Sequence, residues 1–430
     1  MSQHLKKVAI LVGGGPAPGI NSVISAATIR ACLSGAEVVG VRDGFKWLME
    51  RDITHITPLT IEGMSRTHFR GGSLIGISRA NPTKDEKLLE NVVTSLMRLD
   101  VDRLITIGGD DTAFSSSRIE KQAQGRIRVV HVPKTIDNDL DLPPDVCTFG
   151  FQTARHIGCQ LVKDLMVDAA TTSRWYFVVA MGRKAGHLAL AIGKAAGATL
   201  TLIPEEFSEK KLSLGKVSDT LVAAIIKRMA THQPHGVAVL AEGLVEKIDE
   251  KDLSELSGVE RDEHGHIRIA EIDFGDILKR HVTKTLAEYK IKTTLIPKNI
   301  GYELRCADPI AYDLEYTRDL GYCAAKYLLE GGNAALVSMQ GGKFVALPFD
   351  KMMDPKTGRT KVRMVDVEST GYKIARRYMV RLRRDDFENP PMIAKFAATA
   401  KMTPEQFKER FEHVVADEAP PLRFRPAEGK

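Results

Sequence analysis

Apolar positions come in short blocks, each followed by a stretch of different period. Val8–Val12 (VAILV) is a continuous apolar run, then comes GGGPAPG, then INSVISAATIRACL with helical spacing. Val38–Val41, Leu104–Ile107 and Val129–Val132 repeat the short run, with a helical pattern over Leu88–Leu99. Further runs follow at 175–182 (WYFVVAMG), 199–204 (TLTLIP), 236–243 (GVAVLAEG) and 335–340 (ALVSMQ). Continuous runs of four to eight apolar residues between helical stretches predict an α/β protein with buried, parallel strands. The strands are too many for one ordinary sheet, so the expected fold is two doubly wound, Rossmann-like lobes with a cleft between them. A polar insert, Glu246–Glu271, separates two late elements, and its DEHGHI portion reads as a hairpin turn. From about residue 351 the pattern changes to a turn-rich connector, MMDPKTGRTK. A helix is expected over Thr403–Ala416 with Pro in its first turn, and APPLRFRPAEGK reads as a tail.

Composition narrows the class. The chain has 430 residues, 43 % hydrophobic and 27 % charged, as in a soluble globular protein, and 35 glycines suited to many strand–helix turns. The net charge of +6 fits either a solvated basic surface or a cleft that gathers phosphorylated anions. No Lys/Arg run is dense enough for nucleic acid; RRYMVRLRR at 376–384 interleaves basic and apolar residues and reads as an amphipathic element. The five cysteines form no C-x-x-C pair, as expected of reduced thiols. MSQHLKK has no apolar segment behind it and no run approaches the ~20 residues of a membrane helix, so a cytoplasmic protein without membrane partners is expected.

The most informative stretch is VPKTIDNDLD at 132–141. Asp137 and Asp139 are two residues apart, which in an extended segment puts both carboxylates on one side. One can then take a proton while the other helps hold a metal. LITIGGDDT at 104–112 is a second apolar run ending in glycines and carboxylates, and together the two suggest a Mg²⁺–phosphate site at the C-terminal edge of a parallel sheet. For Asp110 and Asp111 two readings stand: acidic residues at a helix start, favoured by its dipole, or a ligand for Mg²⁺ that shares phosphate oxygens. A turn explains Asp-Asn-Asp but not the preceding Lys134 and Thr135. Phosphoryl transfer needs a base near the acceptor hydroxyl, a cation near the donor phosphates, and a metal. Further anion binders stand at Met181-Gly182-Arg183, at Arg174, at Ala241-Glu242-Gly243 and at Tyr302–Arg305, each of which alone reads equally as a surface feature. Together they would suit a polyol phosphate, Arg for phosphate and Glu for hydroxyls. His232, His235, His264 and His266 read as loop residues, and neither H-E-x-x-H nor G-x-S-x-G occurs.

In order, GGGPAPGIN, GGSLIGISR (71–79), GGDDT, PKTIDND, SRWYFVVAMGR (173–183), AEG and IGYELRCADPIAYD (300–313) resemble the phosphofructokinase family over residues 8 to about 345. Members that use ATP have Gly at the positions of Asp111 and Lys134; members that use pyrophosphate have Asp and Lys. The resemblance is therefore to the pyrophosphate-using type, and physics agrees, since a carboxylate at position 111 would repel the α-phosphate of ATP. It implies reversible, Mg²⁺-dependent transfer from pyrophosphate to the 1-hydroxyl of fructose 6-phosphate, giving fructose 1,6-bisphosphate and phosphate in glycolysis or gluconeogenesis. By resemblance Asp137 is the base, Thr135 and Ile136 position the acceptor, Asp110 binds Mg²⁺ with Asp139 assisting, and Asp111 selects the donor. Gly14, Lys134 and Arg79 contact pyrophosphate. Met181, Gly182, Arg183 and Glu242 line the sugar-phosphate site, and Tyr302, Glu303, Leu304 and Arg305 grip its 6-phosphate end.

Some positions depart from the family pattern. Many members have His at Tyr302 and a Gly pair at Cys306-Ala307. ATP-type members have Arg at Ile296, where it reaches the sugar phosphate across a subunit interface; here Arg174 is the remaining cross-subunit candidate and Lys298 a substitute for the lost Arg. A shared site implies a homodimer or homotetramer. The expected organisation is a pyrophosphate and Mg²⁺ lobe at 1–149, a sugar-phosphate lobe at 150–310, a return to the first lobe at 311–350 and a C-terminal extension at 351–430. Alternatives are an ATP-dependent phosphofructokinase, a related acceptor such as sedoheptulose 7-phosphate, and a non-catalytic sugar-phosphate sensor.

Overall fold

A computed structural model describes residues 6–143, 145–254, 272–352 and 361–424. Most of the polar insert, with His264, His266 and the expected DEHGHI turn, lies outside them, as do most of the connector and the last six residues of the tail. Eleven strands form among the described residues: β1 (Lys7–Val12), β2 (Glu37–Val41), β3 (Ile56–Pro58), β4 (Arg103–Gly108), β5 (Arg128–Pro133), β6 (Trp175–Ala180), β7 (Leu200–Leu202), β8 (Gly236–Ala241), β9 (Leu295–Ile300), β10 (Ala335–Gln340) and β11 (Lys343–Pro348). They make two sheets. The larger has the order β11-β10-β5-β4-β1-β2-β3 and the smaller β7-β8-β6-β9.

The smaller sheet is wholly parallel, and so is the interior of the larger one. Val8 to Val12 of β1 are fully buried, and all six residues of β4 are buried. That burial on both faces is why these strands read as unbroken apolar runs. The larger sheet is closed at each edge by an antiparallel strand, β3 on β2 and β11 on β10. Neither was expected, and β9 was also missed. β3 is three residues long, β9 carries Pro297 and exposed Lys298 and Asn299, and β11 is half exposed, so none presents the apolar block used to find the others.

The chain groups into two compact units, 1–157 with 302–363, and 158–301 with 364–430. Residues 364–430 thus belong to the second unit. Leu382, Ile393, Phe396, Phe407 and Phe411 share a buried cluster with Trp175, Phe177, Leu240 and Phe274. The basic stretch at 376–384 is not one amphipathic element. A helix covers Thr370–Tyr378 and a short one Arg384–Phe387, and between them the chain turns inward. Arg381 is buried there, and with Arg376 and Tyr372 it donates to Glu206 Oε2, at 3.0, 3.2 and 2.7 Å respectively. Burial is the largest influence on the Arg376 guanidinium and pulls its pKa down, but Glu206 and Tyr372 together outweigh it, and the pKa is raised. The helix Pro404–Phe411 adds a bidentate pair, Arg410 to both oxygens of Asp219 at 2.5 Å.

Candidate active site

In the first unit, three strand ends converge. β1, β4 and β5 are adjacent and parallel, so the residues after their C-terminal ends lie along one edge of the sheet. GGGPAPG follows β1, GGDDT follows β4, and PKTIDND closes β5. Backbone bonds lock them together. Gly13 donates to Ile107 O at 2.9 Å, Gly14 to Ser78 O at 2.9 Å, and Lys134 to Gly108 O at 2.8 Å. Gly108 is small for a packing reason: a Cβ there would lie 2.4 Å from Thr112 of the following helix. Behind this edge the buried His131 bridges Thr106 (Nδ1 to Oγ1, 2.8 Å) and Gly108 O (Nε2, 2.9 Å). Burial holds its pKa at about 3, so it stays neutral and fixes the strand ends.

Lys134 is the centre of the arrangement. Its side chain is buried at 4 % exposure, and its ammonium donates to Gly15 O. Burial pulls its pKa down to about 8, with Asp137 and Asp110 raising it and Arg305 and Arg79 lowering it. Those four influences show which charged groups surround it. A buried cation that feels two further cations as well as two carboxylates can serve as an anion site, because desolvation strengthens its attraction for any phosphate that enters.

Asp110 and Asp111 open the helix Asp110–Ala123, Asp111 being exposed. Thr135 Oγ1 accepts from the Asp137 amide at 3.0 Å, and Thr135 O accepts from Thr148 Oγ1 at 2.6 Å. Ile136 is buried. One expectation fails here. The segment is not extended, because Asn138 is left-handed with φ 56, so the argument from extended spacing does not apply to Asp137 and Asp139. Asn, which tolerates that conformation, is the sequence signal that was overlooked.

Arg305, expected at the sugar-phosphate end, stands in the first unit. The helix Tyr302–Cys306 belongs to the first unit. Arg305 lies over the exposed Tyr302 ring at 4.6 Å, and its Nη1 is 3.1 Å from where a Cβ on Gly15 would be. It is therefore at the GGGPAPG loop beside Lys134. Leu304 is buried and anchors the helix, while Glu303 is exposed.

The second unit carries its own constellation at the C-terminal ends of β6, β8 and β9. Gly182 has φ 142, a conformation that favours glycine, and its amide donates to Glu242 Oε2 at 3.1 Å. Gly243 donates to Gly182 O at 3.0 Å, and Met181 to Ile300 O at 3.0 Å. Arg183 is exposed and faces Glu246 at 3.9 Å. Arg174 precedes β6 and so stands at the opposite end of that strand, 3.8 Å from Asp168. The structure thus gathers Gly14, Arg79, Asp110, Lys134, Asp137 and Arg305 in one unit, groups Met181, Gly182, Arg183 and Glu242 in the other, and sets Arg174 apart from the latter.

No group of three or more His, Cys, Asp or Glu residues forms a metal cage among the described residues. Asp110, close enough to Lys134 to raise its pKa, is a carboxylate that could hold a divalent cation together with substrate phosphates.

Residues 7–328 match the family described as Phosphofructokinase. The chain belongs to the phosphofructokinase family. It is 52 % identical over 413 residues to pyrophosphate–fructose 6-phosphate 1-phosphotransferase of Thermotoga maritima, covering 95 % of this chain and 98 % of the other. To the protein of the same name from Naegleria fowleri it is 49 % identical over 422 residues, covering 96 % and 97 %. Among solved structures, a pyrophosphate-dependent phosphofructokinase from Marinobacter aquaeolei superposes with a TM-score of 0.66 at 16 % identity, over 86 % of this chain and 88 % of that one, a likeness of fold.

Proposed function

We propose that this phosphofructokinase is pyrophosphate-dependent and transfers a phosphoryl group reversibly from pyrophosphate to the 1-hydroxyl of fructose 6-phosphate, giving fructose 1,6-bisphosphate and phosphate. The observation that carries the reading is the buried Lys134 among Asp110, Asp137, Arg79 and Arg305, at the position where ATP-using members have Gly. The close relatives bear the name of the same activity.

Asp137 takes the proton from the 1-hydroxyl. The freed oxygen forms the new P–O bond as the bridging P–O bond of pyrophosphate breaks and phosphate leaves with the electron pair. Lys134 and Arg79 meet the negative charge that spreads over the equatorial and leaving oxygens, and the Gly14 loop supplies backbone amides. Arg305, beside Gly15, adds a cation to the same charge. Thr135 and Ile136 seat the acceptor. Asp110 is the residue that would hold Mg²⁺, with Asp139 assisting; the ion, when bound, would neutralise charge on pyrophosphate. Met181, Gly182, Arg183 and Glu242 serve the sugar phosphate, with one Glu242 oxygen already holding the Gly182 turn. Tyr302 with Glu303 flanks the acceptor's phosphate end, and Arg174 of a second subunit contributes in a homodimer or homotetramer. Asp111, exposed at the helix start, would repel the α-phosphate of ATP, which disfavours that donor. The enzyme works in the cytoplasm.

The test is a donor comparison on purified protein with Mg²⁺. Fructose 1,6-bisphosphate should form with pyrophosphate and at a rate at least about 100-fold lower with ATP, the size of a few kcal/mol of like-charge repulsion. Equal turnover with ATP overturns the donor assignment.

A further inference from the structure

The catalytic segment is held by one guanidinium from far along the chain. Arg363, in the same unit, packs alongside it: Val362 bridges to Leu140, and the Arg363 amide donates to Asp139 O at 2.8 Å. Its side chain then turns into the loop. Nη1 donates to Leu142 O at 3.2 Å, Pro143 O at 3.1 Å and Val146 O at 3.0 Å. Nη2 donates to Asn138 Oδ1 at 2.6 Å and Asn138 O at 3.1 Å, and Nε to Asn138 O at 3.3 Å. Asn138 Oδ1 also accepts from the Thr148 amide at 3.0 Å, and Thr148 Oγ1 holds Thr135 O.

These bonds meet at the residue after Asp137. Asn138 is buried and left-handed, a conformation that costs free energy unless its surroundings impose it. The planar fork of Arg, with five donors in fixed directions, satisfies both oxygens of Asn138 and three further carbonyls at once; the ammonium of Lys cannot. The backbone geometry at 138 sets where the Asp137 carboxylate points.

Resting on the proposed phosphoryl transfer, we propose that Arg363 is a positioning residue for it: by fixing Asn138 it holds Asp137 at the angle from which the acceptor proton is taken. It touches no substrate. Its loss therefore changes the transition state more than ground-state binding, since Lys134 and the Gly14 loop are held independently by β5 and β1.

The experiment is steady-state kinetics of Arg363→Ala and Arg363→Lys with pyrophosphate and fructose 6-phosphate, alongside the unaltered enzyme and thermal unfolding. Arg363→Ala should lose about 10–100-fold in kcat, the scale of a slight misplacement of a reacting group, with the KM for pyrophosphate within about threefold. Guanidinium chloride at tens of millimolar should restore part of kcat, and potassium chloride of equal ionic strength should not. Should the Ala variant fail to fold, Arg363→Lys carries the test, with an expected loss of about tenfold in kcat at unchanged KM for pyrophosphate. A kcat within twofold of the unaltered enzyme, or a loss that follows the unfolded fraction and ignores guanidinium, overturns the proposal. An unaltered enzyme inactive with pyrophosphate would instead strike at the donor reading.

Discussion

Two regions of this chain bury cations, and they treat them in opposite ways. In the second unit, Arg376 and Arg381 converge on Glu206, and Arg410 clasps Asp219. There burial is answered within the fold: the pKa of the buried Arg376 is raised, Glu206 and Tyr372 together outweighing the burial that lowers it. In the first unit Lys134 is buried as deeply, yet it donates to a carbonyl, has two cations among its charged neighbours, and has its pKa pulled down to about 8. The first arrangement is complete without a ligand. The second gains most of its electrostatic compensation when an anion arrives. The difference separates a cation that fastens the fold from one that serves a substrate, and it does so on local physics.

The comparison breaks most visibly at Glu206. Replacing it by Gln keeps the volume and removes the charge that Arg376 and Arg381 share. Removing one partner of a buried ionic cluster costs ~3–5 kcal/mol, because the others stay buried and uncompensated. Glu206→Gln should lower the stability of the purified protein by that amount in denaturant unfolding, with KM for pyrophosphate unchanged under native conditions. A loss below ~1 kcal/mol would mean that water, rather than Glu206, compensates the two guanidiniums.

Lys134 should respond with the opposite sign. Its shift from an ordinary 10.5 to about 8 means that at neutral pH the folded protein carries a proton it holds poorly, a cost of ~3 kcal/mol. For a Lys with a lowered folded pKa, that cost applies in full below about pH 8 and fades as pH rises toward 10.5. Lys134→Met should therefore stabilise the ligand-free protein by up to that amount at pH 7, less the lost bond to Gly15 O, and the gain should vanish toward pH 10.5. The same variant should lose turnover with pyrophosphate by at least ~100-fold. In the unaltered enzyme KM for pyrophosphate should climb above about pH 8, as the ammonium loses its proton. A Met variant less stable than the parent at pH 7 would show that Lys134 fastens the fold after all.

The same contrast governs what the sequence reveals. The strand ends of the first unit were legible because β1, β4 and β5 are buried on both faces, so an unbroken apolar run leads straight into each polar motif. Gly108, Lys134 and Asp137 follow from such runs. Asn138 carries a local signal for a left-handed backbone, but its tie to Arg363 was not legible, since the bonds joining them span 225 residues. The placement of Arg305 beside Gly15, and of Arg376 and Arg381 inside the second unit, escaped for the same reason: a basic residue in a polar stretch looks alike whether it faces solvent or a buried Glu. The edge strands β3 and β11 were missed because one is short and the other half exposed.

The smallest effect lies where the fastening is local. Thr403 caps the helix Pro404–Phe411: its hydroxyl accepts from the Gln406 amide at 3.3 Å, while Gln406 Oε1 accepts from the Thr403 amide at 2.9 Å. Pro404 fills the first helical position, where no amide donor is needed. This helix presents Phe407 and Phe411 to the core of the second unit, their rings 4.9 Å apart. Thr403→Ala leaves those aromatic contacts and the Arg410–Asp219 pair in place and removes one side of a capping box. It should cost ~1 kcal/mol in denaturant unfolding and leave kcat unchanged. A loss as large as that of Glu206→Gln would mean that the last helix docks only when its first turn is already formed, so that the cap and the buried ionic cluster act as one cooperative unit instead of two independent fastenings.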